Sequence, residues 1–499
     1  MKKLISKTTF LHFLNCSKDA WLKLHRPELL EHFALSEFDK HIIEQGNEVE
    51  SYARNLFPGG IEIVSTGEDA CQETVRHLTS KVPVLFQATF IIDGFIARND
   101  VLAYDADNKC WNLYEVKGTN SVKEDGPTDH GDHITDLAFQ ASVLKRAKLP
   151  VGKYYLIHLN KEYVRHGDLD LQKLFSIDDE TEKVLARVAT IEPQMETARE
   201  YLNLEQEPGG PCDCVYKSRR NHCATFHYTN PHVPEYSVHD ISRIHKSKLG
   251  LFVERSIFSL DDVPDDFKLS DNQRNQVQAH KSQRPAIDKG KIKEALDALI
   301  FPLYFFDYEA FGLAIPVFDG YGPYKRIPFQ FSLHILREAN GDLEHIEYLH
   351  EERTDPTEKV AKLLEEHIKP GGTVIAWHKS FEAGVNKEIG ERMPSYAAFF
   401  EKVNNSLYDL KDIFQDQHYV HHGFKGSASL KKVLPAITDV NYNGLGIQEG
   451  GQAADAWWKM VSPATPREES EMIAKDLKIY CGVDTYAMYA IWRHLQTLG

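Results

Sequence analysis

No run of apolar residues in this 499-residue chain approaches the roughly 20 that a bilayer span requires. The first residues, "MKKLISKTTFLHFLNC", carry two lysines, but polar residues interrupt their apolar part and no small-residue cleavage site follows. The expectation is a cytoplasmic protein that uses no membrane. Positive charge is also in short supply: 58 Lys and Arg against 74 Asp and Glu leave a net charge of −16. That balance excludes the broad basic face of a general polyanion binder. It leaves room for local basic patches, for which "YKSRRNH" (216–222) and "HKSQR" (280–284) are the candidates, with solvated loops as the plain alternative. A P-loop GxxxxGK[ST] is absent, so no ATP-driven step is expected of this chain itself. With seven cysteines no disulfide framework is expected. There is no internal repeat and no low-complexity tract.

What is present is a soluble globular composition, 42% hydrophobic and 26% charged, at a length that calls for two or three domains. Residues 1–235 read as α+β, with helical patterns to about 57, strands through 61–117 and helices after them. Residues 236–299 are polar and turn-rich, yet "ISRIHKSKLGLFV" and "KIKEALDALI" keep helical apolar spacing, which predicts a small helical connector. From 300 to 499 the pattern is strand-rich and then alternates helix with strand. The fold class is mixed α/β.

Two runs of strand character flank "ADNK" in "IARNDVLAYDADNKCWNLYEVKGTN" (96–120). If Asp105 pairs with Cys110 across this four-residue turn, Asp100 stands opposite Glu115. Like charges facing each other on a strand pair repel, so the arrangement is sensible when a divalent cation sits between them. Lys117 lies two residues beyond Glu115 and shares its face. Two acids for Mg²⁺ or Mn²⁺ and a lysine to offset phosphate charge make a site for phosphodiester hydrolysis.

Asp100 followed by Glu115-Val116-Lys117 resembles the PD-(D/E)XK nuclease motif, and its surroundings are similar to RecB-like exonucleases and those of CRISPR adaptation. The upstream helix motif of that group corresponds to Gly46 and Glu50 in "GNEVE", and its later glutamine to Gln140 in "DLAFQASVL". The resemblance implies a restriction-endonuclease-like domain in which Glu50, Asp100 and Glu115 hold metal while Lys117 and Gln140 serve catalysis. Its iron–sulfur members place one cysteine before the nuclease core and three after it, the layout of Cys16 with Cys212, Cys214 and Cys223. That implies a [4Fe–4S] cluster. A zinc site that adds His222 or His227 to the cysteines is the competing reading, and free buried thiols are a third.

A second group of acids begins in "LYFFDYEAF" (303–311), where Asp307 and Glu309 interrupt an apolar strand and share one face. Buried carboxylates are costly unless they are paired or bind metal. In "DLKIYCGVDTYAMYAIWRHL" Tyr480 and Asp484 are four apart on one helix face. Between them "GTVIAWHKSFEAGVNKEIGE" reads as strand, loop and helix, with Ser380 as N-cap and Glu382 in the first turn. This order resembles the DEDD 3′–5′ exonucleases of RNase H-like fold, in the subtype with tyrosine in the last motif. The resemblance implies that Asp307, Glu309, Glu382 and Asp484 hold two Mg²⁺ ions and that Tyr480 orients water. Glu382 and His378 stand where that family has aspartate and asparagine. Asp409 is read as a supporting acid, and "GSASLKKVLP" (426–435) either as a helix start whose amides and lysines face a phosphate or as a plain helix start.

The combination resembles a bacterial family of two-nuclease proteins and implies hydrolysis of DNA rather than RNA, from single-stranded ends. A helicase or a defence system is the partner it implies. Two alternatives stand beside it: one domain catalytic with the other a degenerate grip, or a non-catalytic scaffold for DNA ends.

Overall fold

The computed structural model describes residues 3–30, 37–123, 132–447 and 449–498. They have a mixed α/β architecture and divide into two compact units. The first comprises residues 1–215, 220–231 and 313–324. The second comprises 216–219, 232–312 and 325–499.

The first unit is built on a seven-stranded sheet of β1 (Ile5–Ser6), β2 (Ile61–Glu62), β3 (Val84–Ile92), β4 (Phe95–Asp105), β5 (Cys110–Lys117), β6 (Val151–Leu159) and β7 (Phe175–Asp179). The order is β2-β3-β4-β5-β6-β7, with β1 parallel to β4. Strands β3, β4 and β5 form an antiparallel meander, and β6 then runs parallel to β5. Asp93 and Gly94 both adopt left-handed φ, +53° and +85°, as a two-residue hairpin turn between β3 and β4 demands. The next turn spans 106–109, closed by the Asp105 carboxylate on the amides of Asp107 and Asn108. Asp105 pairs with Cys110 and Val101 with Tyr114, the register expected from the sequence.

The helix His133–Arg146 is buried from His133 to Leu144 and packs against the sheet and the helix Thr181–Leu202. One element departs from the strand-only reading of 61–117. Residues Gly67–Thr79 form a helix, with Glu68 and Asp69 in its first turn, Arg76 and His77 in its last, and Ala70 and Thr74 buried. Charges placed to complement the helix dipole outweigh the strand tendency of the flanking segments.

In the second unit, the helices Lys246–Glu254, Asp271–Ser282 and Lys289–Asp297 occupy the polar 236–299 region. Val238, Leu249, Phe252, Leu260 and Val277 give it a small core of its own. A short ribbon pairs β8 (Ala286–Ile287) with β14 (Tyr419–Val420). The main sheet has five strands: β9 (Leu303–Phe311), β10 (Ile327–Leu336), β11 (Leu343–Leu349), β12 (Thr373–Ala376) and β13 (Leu407–Asp409). Their order is β11-β10-β9-β12-β13; the first three are antiparallel and β12 and β13 run parallel to β9. Strand β10 is buried along its whole length because the 30-residue helix Arg467–Gln496 lies against β9, β10 and β11 on one side and helical layers cover the other. No described helix is long and apolar enough to cross a membrane.

Candidate metal and carboxylate sites

In the first unit, the β4–β5 register carries Asp100 up to Glu115, and the Val116 amide donates to Asp100 Oδ2 at 2.8 Å. Glu115 is 1% exposed. It accepts from Gln140 Nε2 at 2.5 Å and pairs with Lys117 Nζ at 2.9 Å. Lys117 also pairs with Asp136, and Asn99 fixes Gln140 from its other end at 2.6 Å. Asp100, Glu115, Lys117 and Gln140 are therefore in one network. Glu50, on the helix Glu37–Arg54, is linked to it through Gln87, whose Nε2 donates to Glu50 Oε1 and, at 3.5 Å, to Asp100 Oδ1. Arg54 holds Glu50 at 2.7 Å.

The two central acids titrate in opposite directions. Burial, then the neighbouring Glu115 charge, pushes Asp100 up to about 8, with Lys7 pulling the other way. Burial also penalises the Glu115 anion, but Lys117 and Lys7 outweigh it and hold that carboxyl below its ordinary range. Lys117 is raised in turn, since Glu115 and Asp136 overcome the cost of burying its charge. Two groups here were not legible as site residues. Lys7 comes from the chain's first helix to reach Glu115 at 2.5 Å and Asp136 at 3.7 Å. Gln87 sits at φ +58°, where the β3–β4 register skips a residue. A lone glutamine in the apolar run "VLFQATF" was the available signal for the latter.

Cys16, Cys212, Cys214 and Cys223 come together although the first is some 200 positions from the others in sequence. Their sulfurs all lie within 4.8 Å of one another, and Cys212 and Cys223 are 3.7 Å apart. All seven cysteines are free thiols. Thr229 Oγ1 and Asn230 Nδ2 donate to Cys212 Sγ at 3.2 and 3.3 Å, and the Asp19 amide donates to Cys16 Sγ at 3.4 Å. Hydrogen bonding among the four sulfurs themselves lowers Cys212 and Cys214 and raises Cys16 and Cys223, with Thr229 adding to the lowering of Cys212. A buried group of this kind can hold a metal. His222 and His227 stand outside it, packed on Phe226 at ring distances of 3.5 and 5.5 Å.

In the second unit, Asp307 and Glu309 project from β9 beside Cys481, with ligand atoms of all three within 4.8 Å of one another. Glu382, in the first turn of the helix Ser380–Arg392, reaches Asp307, and Asp484 reaches both strand acids from the long C-terminal helix. Burial raises all four, joined by repulsion from the neighbouring acids at Asp307 and Glu309 and by the Asp409 charge at Glu382: Asp307 and Glu309 well above the carboxylate range, Glu382 to about 8, Asp484 to about 6. Asp484 is lowest because Tyr442 donates a hydrogen bond to Oδ1 and Lys431 and Tyr480 add to it. Lys431 lies over the rings of Tyr442 and Tyr480, at 5.8 and 5.9 Å. Glu382 Oε2 is buried with no hydrogen-bond partner among the described residues.

Asp409 stays out of this cluster's centre and takes the amides of His378 and Lys379, each at 3.0 Å. It thereby shapes the turn into the Glu382 helix. Ser380 is not the N-cap expected of it: Lys379 holds that position without a side-chain cap, because Asp409 already satisfies the amides there. Tyr442 and Cys481 were not singled out as site residues from the sequence. Cys481 directly follows Tyr480, which was its signal; Tyr442 lies in a stretch without periodicity.

A family model described as "Domain of unknown function (DUF2779)" matches residues 304–429. That segment holds Asp307, Glu309, Glu382 and Asp409 and ends before Tyr480 and Asp484. The chain is similar to the uncharacterized protein MG366 of Mycoplasma genitalium, 24% identical over 241 residues that cover 44% of this chain and 36% of the relative. Its homolog in Mycoplasma pneumoniae is 25% identical over 219 residues, 40% of this chain and 33% of that one. The chain spans about a third of the length of these curated relatives.

Proposed function

We propose that this protein is a metal-dependent nuclease with two carboxylate centres, acting on nucleic acid ends and on DNA in preference to RNA. The observation that carries the reading is the convergence of Asp307, Glu309, Glu382 and Asp484, the two glutamates buried and the two aspartates half-buried, each held above its ordinary pKa. Four buried and half-buried acids facing one lysine are a site in want of cations, and Glu382 Oε2, unpartnered among the described residues, is a free ligand atom within it. The donor set, all oxygen apart from the Cys481 thiol, suits Mg²⁺ or Mn²⁺. Strand order β11-β10-β9-β12-β13 supports an RNase H-like reading, and the β3-β4-β5 meander followed by helix and parallel β6 supports a PD-(D/E)XK one.

Bound divalent ions supply positive charge to the oxygens of a phosphoryl group during in-line displacement. The chain's own residues do the positioning. In the second unit the Tyr480 hydroxyl, beside Asp484, orients water, while Tyr442 keeps Asp484 ionised and Lys431 adds a cation facing the phosphate. In the first unit Gln140 fixes Glu115, and Lys117, raised and fully charged, faces phosphate. Asp100, Glu115 and Glu50 are the residues that would hold metal there.

The four cysteines take a metal of a different kind. A single tetrahedral ion with metal–sulfur bonds of ~2.3 Å sets its thiolates ~3.8 Å apart. The 3.7 Å between Cys212 and Cys223, with all four sulfurs inside 4.8 Å, supports one zinc ion. A [4Fe–4S] cubane binds each thiolate to a different iron and spreads the sulfurs wider.

The test is incubation of the full chain with end-labelled single-stranded DNA and RNA in Mg²⁺, Mn²⁺ or EDTA. Metal-dependent release of short products, faster from DNA, is expected. Intact substrate in every metal, with binding retained in EDTA, would mean a scaffold for nucleic-acid ends instead.

A further inference from the structure

The second unit contains a cavity of about 360 Å³ that none of the proposed chemistry uses. Its size is that of a small-molecule cleft, ~300–1,000 Å³. Its charge is anomalous for a chain of net −16: among the described residues Arg243 and Lys411 line it, with His421, and no carboxylate does. Arg243 has no hydrogen-bond or ion-pair partner among the described residues, and its side chain is exposed. His421 is kept neutral, lowered by burial and by His422 and His494. The Gln417 side-chain oxygen, also on the wall, is buried without a hydrogen-bond partner among the described residues. Phe414 and Tyr419, stacked at 5.9 Å, supply aromatic lining.

The walls are held in conformations that ordinary residues avoid. Arg243 and Gln417 have φ of +50° and +60°. Gly426, at φ +74°, passes so near Asp240 that a Cβ would come within 2.3 Å of its carbonyl oxygen. Strained positions of this kind persist where the surroundings impose them, and they concentrate at binding sites.

Segments that line the cavity lead along the chain to the second carboxylate centre. Ser427, Ala428 and Ser429 line it and lead directly into the helix Leu430–Ile437, whose Lys431 lies over Tyr480. On its other side, Lys411 Nζ is 3.2 Å from His378 Nδ1, in the turn before Glu382. A cationic, carboxylate-free cavity with an aromatic wall, one step along the chain from a phosphodiester-type centre, has the chemistry of a nucleotide subsite. Cations meet phosphate, the rings meet a base face, and the open amide oxygen of Gln417 accepts from base or sugar.

We propose that this cavity binds one nucleotide of a single-stranded nucleic acid, adjoining the nucleotide held at the carboxylates. The proposal rests on the nuclease reading. Its test is fluorescence anisotropy of the full chain with a fluorescein-labelled twelve-residue oligothymidylate in EDTA, where no cleavage competes. Arg243→Ala and Lys411→Ala are each expected to weaken binding by about 3- to 10-fold and to flatten the log–log salt dependence by about 0.7. Arg243→Lys should retain most of the affinity, and Lys293→Ala, on the exposed Lys289–Asp297 helix, all of it. Thermal melting checks that each variant is folded. Wild-type affinity and salt slope in both alanine variants would overturn the subsite and leave the nuclease reading standing. No binding by the wild type would overturn both. Displacement by poly-glutamate at lower concentration than by unlabelled oligothymidylate would assign the cavity to an acidic peptide and overturn the proposal.

Discussion

Lys7 Nζ lies 2.5 Å from Glu115 Oε1, across 108 positions of sequence. With Lys117 on its other side, Glu115 is an anion even when no metal is present, while Asp100 next to it is held near 8 and protonated at neutral pH. The first centre thus uses lysine as its resident counter-charge. The second has four raised acids and one lysine, and depends far more on added cations.

Replacing Lys7 by alanine leaves Glu115 buried with one fewer partner. The Lys7 side chain is 27% exposed, which puts the pair between surface and buried limits. A loss of about 2 kcal/mol is expected. Melting in EDTA should fall by several degrees, and Mg²⁺ should recover part of the loss in the variant. An unchanged melting point would mean that the ion pair is not formed in solution.

The second centre should show a pH signature. A carboxylate whose folded-state pKa is raised contributes stability that is complete below its unfolded value of ~4 and is lost as pH climbs through the raised value. Here that window runs from ~4 through about 6 for Asp484 and about 8 for Glu382. Metal binding displaces those protons. The melting shift produced by saturating Mg²⁺ should therefore be larger at pH 8 than at pH 5.5, measured with Asp100→Ala to silence the first centre. Equal shifts at the two pH values would contradict the assignment.

Tyr442→Phe removes the hydroxyl that donates to Asp484. A hydrogen bond to a charged group contributes about 1.5–3 kcal/mol. Asp484 should rise further, and the apparent Mg²⁺ affinity at pH 7, read by titration calorimetry in the Asp100→Ala background, should fall about 10-fold or more. An unaltered affinity would remove Tyr442 from the site.

Metal analysis settles the cysteine group. One zinc per chain and a colourless preparation are expected, and Cys16→Ser should lose the zinc and lower the melting point. Four irons with labile sulfide in protein purified without oxygen would contradict the single-ion reading.

Local patterns in the sequence carried much of this. The turn at 106–109 set the β4–β5 register, and through it the meeting of Asp100 and Glu115. The i, i+2 and i, i+4 periods put Asp307 with Glu309 and Tyr480 with Asp484 on shared faces. What sequence could not show is contact that only tertiary folding creates. Lys7, Gln87 and Tyr442 each act at a distance from their partners and belong to no periodic pattern. The segment 313–324, between β9 and β10, packs in the first unit, where Ala314 and Ile315 join Val49 and Ile157. Nothing in its composition marks that destination. The Gly67–Thr79 helix was legible in principle, from its acidic first turn and basic last turn, but the strands on either side masked it.

The most direct measurement compares Asp100→Ala, Asp307→Ala and the double variant with the wild type on end-labelled single-stranded DNA in Mg²⁺. Each single variant should lose part of the activity, by roughly 100-fold or more at its own centre, and the double variant should release no product above the EDTA background. A double variant that degrades DNA at the wild-type rate would contradict the account.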